Sequence, residues 1–107
     1  MVLETEELLA ETGLVYTNDS QPGITRLKTQ AGFAYSDSRG NPVTHPKTLE
    51  RIKKLAIPPA WENVWIASKA NAHLQATGID QAGRKQYRYH QEWSRSRNEN
   101  KYFNLLE

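Results

Sequence analysis

Residues 74–90 read LQATGIDQAGRKQYRYH, and this stretch decides the fold. Its two ends, residues 74–79 and 86–90, are typical of strands, and the segment from Asp80 to Gly83 between them is typical of a tight turn. Tyr87 and Tyr89 alternate along the second strand, as residues on one face of a sheet do. The stretch therefore predicts an antiparallel hairpin that carries polar and aromatic side chains at its end.

Three more strands are predicted on the amino-terminal side of this hairpin. Residues 24–28 and 33–36 flank a short turn and predict a second hairpin. Residues 64–67 are apolar on both faces, which is typical of a central strand. Together with the hairpin at residues 74–90, these segments predict an antiparallel sheet of about five strands.

The helices are predicted from proline positions and apolar spacing. Pro46 suits the first turn of a helix, and the apolar spacing after it continues to a stop at Pro58 and Pro59. Residues 91–105 predict another helix, and residues 3–12 predict a short acidic one. The fold class is therefore α+β, a small antiparallel β-sheet of about five strands with two or three helices. Residues 1–107 are expected to form a single domain, in which residues 1–20 are loosely ordered.

Composition excludes several classes of protein. The chain has 107 residues and no cysteine, so it has neither a disulfide framework nor a thiolate metal site. Its three histidines lie far apart and lack metal-ligand spacing. No apolar stretch approaches the ~20 residues that a membrane span needs, and we see no secretory signal. We expect no cofactor and no membrane partner.

Charge is distributed unevenly along the chain, although the net charge is only +2. Residues 1–20 contain five carboxylates and no Lys or Arg, whereas residues 84–101 contain six Lys or Arg against two Glu. This pattern is typical of one face that meets a polyanion, and equally of two solvated faces that differ in charge.

The candidate site is the hairpin end, where cations, an amide and tyrosines follow one another. Arg84 and Lys85 suit phosphates, but cations also protect the edge of a sheet from pairing with other strands. Gln86 can pair with the major-groove edge of adenine. Tyr87 and Tyr89 offer flat faces and hydroxyls, or alternatively form the core face of the strand. A regular strand points Gln86 and Tyr87 to opposite faces, so both reach DNA only through end-on insertion or a bulge.

Three long strings in the chain carry a resemblance to a known family. They are LAIPPAWENVWI at residues 55–66, HLQATGID at residues 73–80 and GRKQYRYH at residues 83–90. In this order they resemble the amino-terminal domain of bacterial, poxvirus-like type IB DNA topoisomerases, over about residues 23–105. The resemblance covers only that domain, and it implies that a larger catalytic domain follows this chain in the parent polypeptide.

The resemblance implies a DNA-binding role. In the family, the residues that match Gln86, Tyr87 and Tyr89 enter the major groove of double-stranded DNA, and Arg84 and Lys85 are expected to contact the backbone. The parent enzyme is an isomerase that relaxes supercoiled DNA through a transient 3′-phosphotyrosyl link, without ATP or an obligatory metal. This domain would complete the clamp around the duplex and be inactive by itself. We expect a monomer in the bacterial cytoplasm, associated with the nucleoid.

Alternatives remain open at the level of the sequence. The hairpin could instead be a protein-interaction surface, or a sheet that binds RNA or single strands through stacked tyrosines. Tyr87 or Tyr89 could even be a nucleophile, but the converging donors that phosphoryl transfer needs are missing. His90 is as compatible with a structural role as with phosphate contact. The cations of the following helix, Arg95, Arg97 and Lys101, are equally compatible with a solvated face. Five aromatic residues are assigned to the core: Phe33, Tyr35, Trp61, Trp65 and Trp93.

Overall fold

The computed structural model describes residues 12–95. Their elements in chain order are β1 (Ile24–Thr29), β2 (Gly32–Ser36), α1 (Pro46–Lys54), β3 (Glu62–Ile66), β4 (Leu74–Ile79) and β5 (Lys85–Tyr89), followed by helical residues 91–95. The strands form one antiparallel sheet in the spatial order β2-β1-β3-β4-β5. The α+β prediction and its five strands are confirmed.

The prediction of two or three helices is confirmed only in part. The described residues contain two helices, α1 and residues 91–95, which is the lower of the two predicted numbers. The helix predicted at residues 3–12 and the rest of the one predicted at residues 91–105 lie outside the described residues, apart from Thr12. No helix within residues 12–95 is long and apolar enough to cross a membrane.

Both predicted hairpins form, because their turns satisfy the backbone. In the β4–β5 turn, Asp80 Oδ1 accepts the backbone N–H groups of Ala82 at 3.0 Å and Arg84 at 2.9 Å. Gly83 has φ +79°, a conformation that glycine adopts without steric cost. β5 begins at Lys85 and ends at Tyr89, one residue earlier at each end than the sequence predicted.

Helix α1 begins as predicted but ends early. Pro46 occupies its first turn, and Glu50 pairs with Lys54 at 3.4 Å on the exposed side. The sequence predicted that Pro58 and Pro59 end the helix, whereas the last helical residue is Lys54. The chain already turns at Ala56, whose φ is +50°. The prolines therefore fix the chain after the helix and do not terminate it.

The hydrophobic core lies between α1 and one face of the sheet. The register places Ile24, Ile66, Ala76 and Arg88 in one row across four strands. The three apolar members of this row pack in one cluster with Ile52 of α1 and with Val64. Since Ile66 and Ala76 are fully buried, this row fixes the position of the helix on the sheet.

Two polar networks connect the helix and its following loop to the sheet. At a bulge in β4, buried Gln75 accepts a hydrogen bond of 2.7 Å from Arg51 and donates one of 2.7 Å to the Ala72 carbonyl. Arg26 donates to the carbonyls of Pro58 at 3.0 Å and Trp61 at 2.8 Å. These bonds satisfy carbonyls that no strand pairs, which is the usual condition for burying backbone in loops.

Residues 14–22 cover part of the opposite face of the sheet, over β3 and β4. The register row on this face contains Thr25, Trp65, Thr77 and Tyr87. The indole N–H of Trp65 donates to the Gln21 carbonyl at 2.9 Å. The sequence predicts loose order for residues 1–20, but in the described part of that segment Leu14 and Thr17 are buried. Residues 14–22 therefore form a second layer on the sheet.

Of the five aromatic residues assigned to the core, four are buried or half-buried and one is exposed. Trp93 is buried, and Tyr35 and Trp61 are half-buried against the core cluster. Trp65 is half-buried on the other face. Phe33 was wrongly assigned, because its ring is exposed on β2 and lies 4.1 Å below the Arg26 guanidinium. A ring in this position shields the cation and does not fill the core.

Trp61 depends on the absence of a side chain at Gly78. A Cβ at Gly78 would lie 2.7 Å from Trp61 Cε3. We expect Gly78→Ala to lower the free energy of unfolding by about 1–3 kcal/mol, as overpacking does. In a Trp61→Leu background the same change should be neutral or stabilising, because glycine weakens a strand. Denaturant unfolding of the four proteins tests this pair, and an equal loss in both backgrounds would contradict the close contact.

His73 is a buried histidine whose neutral form the fold favours. Its Nδ1 accepts the Thr17 backbone N–H at 3.0 Å, and its ring stacks on Tyr16 with 4.9 Å between centroids. Burial lowers the pKa of His73 below its ordinary value, and a hydrogen bond from the ring to the Val15 backbone opposes that shift only in part. Protonation would also place a donor against the Thr17 N–H.

The free energy of unfolding should therefore depend on pH through His73. The unfolded histidine titrates near 6.5 and the folded one lower, so stability is complete above pH 6.5 and is lost as the pH falls below it. The free energies of unfolding at pH 7.5 and pH 5.5, measured by chemical denaturation, should differ less for His73→Gln than for the wild-type chain. The amide oxygen of the glutamine can still accept the Thr17 N–H. Asp19 and Asp80, whose pKa values are lowered from 3.8, act only in a more acidic range. An unchanged pH difference in the variant would exclude His73 as its source.

Candidate nucleic-acid interface

The exposed side of β5 carries the candidate site. Along this edge strand Lys85, Tyr87 and Tyr89 are exposed, while Gln86 and Arg88 between them are half-buried. Residues 14–22 cover the neighbouring strands on this face but leave the edge uncovered. Tyr16, at the start of that segment, is 59% exposed beside the same edge. We call the surface formed by Tyr16, Lys85, Tyr87 and Tyr89 the tyrosine surface.

The rings of the tyrosine surface are fixed by mutual contact. Tyr87 and Tyr89 stack with 6.2 Å between centroids and 19° between planes. Tyr89 lies 6.1 Å from the ring of His73, which in turn stacks on Tyr16. Trp93 meets His73 edge-on from below, at 5.0 Å. The exposed rings therefore rest on buried aromatic residues and offer faces whose orientation is already set.

Lys85 is held by a carboxylate from another part of the chain. Its Nζ contacts Asp19 Oδ2, and the ammonium lies 5.8 Å from the centroid of Tyr87. The hydrogen bond from Lys85 lowers the pKa of Asp19, and the same bond raises the pKa of Lys85. Thr77 also donates to Asp19 Oδ2, at 3.2 Å.

Arg84 and Gln86 are both held by Asp80. Arg84 Nε lies 3.3 Å from Asp80 Oδ2, although the arginine side chain remains 73% exposed. Gln86 Nε2 donates to the same oxygen at 2.9 Å. The backbone N–H of Arg84, followed by the Gln86 amide, holds the pKa of Asp80 below its usual value. Asp80 thus builds the turn and orients two candidate side chains.

The structure brings together only part of the predicted set. Lys85, Tyr87 and Tyr89 share the tyrosine surface, and Arg84 lies at the adjoining turn. Gln86 points to the other face, as regular strand alternation requires, and no bulge interrupts β5 between Gln86 and Tyr87. Arg88 also lies on that other face, with its guanidinium 5.4 Å from the Trp61 ring centroid. The predicted tension between Gln86 and Tyr87 therefore persists in the fold.

The residues after β5 favour structural roles. His90 Nδ1 accepts the Glu92 backbone N–H at 3.1 Å, which caps the helical residues that follow. Arg95 pairs with Glu92 at 2.6 Å on an exposed surface. Arg97 and Lys101 lie outside the described residues. His90 and Arg95 therefore have local partners and are not part of the tyrosine surface.

Sequence reasoning missed two members of the site, Tyr16 and Asp19. Both precede the first strand, in a segment that reads as a turn-rich and acidic terminus. Only the packing of residues 14–22 on the sheet brings them beside β5. The five carboxylates of residues 1–20 were a signal for charge asymmetry, but they gave no signal for an ion pair with Lys85.

The arrangement offers groups that suit binding. It combines cations, which attract phosphates, with flat aromatic faces and hydroxyls that can contact bases or sugars. Among residues 12–95 no three His, Asp or Glu side chains gather in a way that could hold a metal ion. Lys85 lies beside Tyr87, whereas phosphoryl transfer requires several donors that surround the reacting phosphate.

The central part of the chain is similar to known proteins. Residues 32–80 match the model of the bacterial DNA topoisomerase IB N-terminal domain. DNA topoisomerase 1B of Acanthamoeba polyphaga mimivirus is 49% identical over 69 residues, which cover 64% of this chain and 20% of that protein. The chain thus spans about a fifth of the length of this relative. No solved structure matches the chain.

The matched residues run from the start of β2 through α1, β3 and β4 to Asp80, so they include the core row and the Trp61–Gly78 contact. They end before β5, and the site residues from Arg84 onward lie beyond the family match. The resemblance seen in the sequence is confirmed by both comparisons. Residues 32–80 are therefore similar to the amino-terminal domains of bacterial type IB DNA topoisomerases.

Proposed function

We propose that this chain binds double-stranded DNA through the tyrosine surface and the adjoining β4–β5 turn, as part of a type IB topoisomerase. The observation that carries the proposal is the exposed, stacked pair of Tyr87 and Tyr89 beside Lys85 on an edge strand. Exposed aromatic side chains of this size are otherwise unfavourable in water, and contact with a partner would cover them.

The edge position of β5 is compatible with a groove. The major groove of B-DNA is about 12 Å wide and admits a two-stranded β-ribbon. If the β4–β5 hairpin enters with its turn and edge leading, side chains of both faces meet the groove. Tyr87 and Tyr89 would then contact one side of the groove and Gln86 the other. This docking removes the tension between Gln86 and Tyr87 without a bulge.

Arg84 and Lys85 would position the hairpin on the backbone. Both side chains reach solvent at the end of the hairpin, where phosphates would flank the inserted strand. Such contacts carry no base sequence information but supply most of the salt-dependent affinity. Gln86, whose amide is already oriented by Asp80, is the residue best suited to read a base edge.

The role of the whole protein follows from the family as a further proposal. The parent polypeptide would relax supercoiled DNA without ATP, using a nucleophilic tyrosine in a catalytic domain outside this chain. Residues 1–107 would close the clamp on the side of the duplex away from that nucleophile and would form no covalent adduct by themselves. We propose a monomeric protein of the bacterial cytoplasm, associated with the nucleoid.

A titration of this chain with a short duplex tests the proposed function. The NMR signals of Lys85, Tyr87 and Tyr89 should shift together on addition of DNA, while those of β2 at the other edge of the sheet stay in place. Shifts confined to residues outside β5 and its turn would contradict the assignment of the surface.

The stacked tyrosines also favour a second candidate function, binding of a single strand. Bases stack on exposed aromatic rings with little dependence on sequence. Competition between a duplex and a single strand of the same length separates the two functions. Preference for the single strand would replace duplex binding with this alternative, and binding to a protein with no dependence on salt would favour an interaction module.

Duplex binding should depend on salt in proportion to the phosphates contacted. We expect a weak Kd in the ~10⁻⁴–10⁻⁶ M range, and a log–log salt slope of about −0.9 per phosphate neutralised. Arg84→Ala and Lys85→Ala should each flatten the slope by about one such unit. Tyr87→Ala should weaken binding and leave the slope unchanged. Fluorescence anisotropy at several salt concentrations measures both quantities.

Lys28→Ala is the matched control for these cation variants. Lys28 is an exposed cation on β1, which β3 and β4 separate from β5 in the sheet. Its removal changes the net charge by the same amount as Lys85→Ala but should leave the slope nearly unchanged. Equal flattening by all three variants would mean that net charge, and not the hairpin, determines affinity.

Gln86 should distinguish base reading from backbone contact. In the full-length parent protein, Gln86→Ala should cost roughly 1–3 kcal/mol of binding at one preferred base pair and little at other positions. Binding to a set of duplexes that differ at single base pairs measures this effect. A uniform loss over all duplexes would instead show that Gln86 supports the turn through Asp80.

A further inference from the structure

Asp19 lies beside the tyrosine surface and pairs with one of its residues, Lys85. It belongs to the segment 14–22 that covers the sheet, and its side chain is 30% exposed. One oxygen, Oδ2, contacts Lys85 Nζ and accepts the hydroxyl of Thr77 at 3.2 Å. Thr77 is buried, so Asp19 is fixed at its inner side and faces solvent at its outer side.

This geometry places a negative charge where the proposed partner is also negative. A phosphate that approaches Lys85 meets the carboxylate of Asp19 on the same ammonium. Two like charges beside one ammonium repel each other, so a phosphate that binds Lys85 competes with Asp19. The turn repeats the pattern, because Asp80 holds Arg84 in the free chain. However, Asp80 also accepts two backbone N–H groups and is needed for the turn, whereas Asp19 makes its side-chain contacts to Lys85 and Thr77.

We propose that Asp19 is an internal competitor for DNA: it holds Lys85 in the free chain, and Lys85 exchanges this carboxylate for a backbone phosphate on binding. This inference rests on the proposed duplex-binding function and adds a residue that lowers affinity. The exchange preserves one charged partner for Lys85 in each state. The cost of binding is therefore the loss of the Asp19–Lys85 pair and the nearness of Asp19 to the phosphate.

The inference makes Asp19 a positioning residue that acts through Lys85. Since Thr77 donates to Asp19 at 3.2 Å, Asp19 keeps a partner in the sheet when Lys85 leaves it. Lys85 has a flexible stem and is 44% exposed, so the lysine is the partner able to move. Asp19 thereby holds the Lys85 ammonium near the ring of Tyr87 in the free chain. A phosphate can take over Lys85 only if it reaches this position.

The test is the duplex affinity of Asp19→Asn, measured by anisotropy with a short DNA duplex at low salt. The amide retains an oxygen for the Thr77 hydroxyl but loses the charge. We expect binding about two- to fivefold tighter than that of the wild-type chain, as the release of an exposed ion pair would give. The control is Asp37→Asn, which removes a carboxylate at the far edge of the sheet, where an amide oxygen can still accept the Arg39 and Asn41 N–H groups. It should leave affinity nearly unchanged.

A double-mutant cycle shows whether Asp19 acts through Lys85. In a Lys85→Gln background, Asp19→Asn should give little or no gain, because the lysine that it would release is absent. An equal gain in both backgrounds would mean general repulsion of DNA and would overturn the exchange. Thermal unfolding of each variant checks the fold, and Asp19→Ser, which also offers an oxygen to Thr77, replaces Asp19→Asn if the latter melts early.

The remaining outcomes separate this inference from the proposed function. Wild-type binding with no gain in Asp19→Asn would overturn the competitor role and leave duplex binding intact. If neither protein binds a duplex, the proposed function fails and the competitor role fails with it. The ion pair itself is checked without DNA, since NMR titration should show the pKa of Asp19 returning toward its ordinary value in Lys85→Gln; an unchanged pKa would overturn the pair on which the exchange depends.

Discussion

The burial of β4 on both faces is the constraint on which the rest of the structure depends. From Leu74 to Gly78 every residue of this strand is buried, and only Ile79 at its end is half-buried. One face contacts the core beneath α1, and the other contacts residues 14–22. Because a strand buried on both sides needs two covering layers, the helix and the amino-terminal segment are both required for the sheet. β5 pairs with β4 on one side only, so its other side is an exposed edge of the sheet.

The position of β5 explains why the candidate site is both rigid and accessible. Its backbone is fixed by pairing with β4 from Leu74 to Ile79, and Tyr89 lies between the rings of Tyr87 and His73. The same rings are exposed because residues 14–22 end their coverage before the edge. A surface of this kind needs little ordering when it binds, so more of its contact energy contributes to affinity.

The charges of the site are balanced within the chain. Asp80 holds Arg84 and Gln86, and Asp19 holds Lys85, so the polar candidates begin with protein partners. An exposed edge strand with cations also resists pairing with other chains. The family match covers β2 to β4 but not β5. Sequence similarity and packing therefore both support the scaffold. The site is supported by its geometry and by the resemblance of residues 83–90.

The sequence by itself determined the elements whose signals are local. The hairpin turns, the start of α1 at Pro46, the central position of β3 and the alternation along β5 all follow from neighbouring residues, and they were predicted within one or two residues. The sequence also carried the resemblance to type IB topoisomerase amino-terminal domains, and with it the hairpin at Arg84 to Tyr89 as the candidate site. Only the tertiary structure decided which residues share a surface. Contacts such as those of Asp19 with Lys85, Tyr16 with His73 and Arg51 with Gln75 join segments that are distant along the chain. They depend on how layers pack on β4, and no local pattern of residue types records that packing.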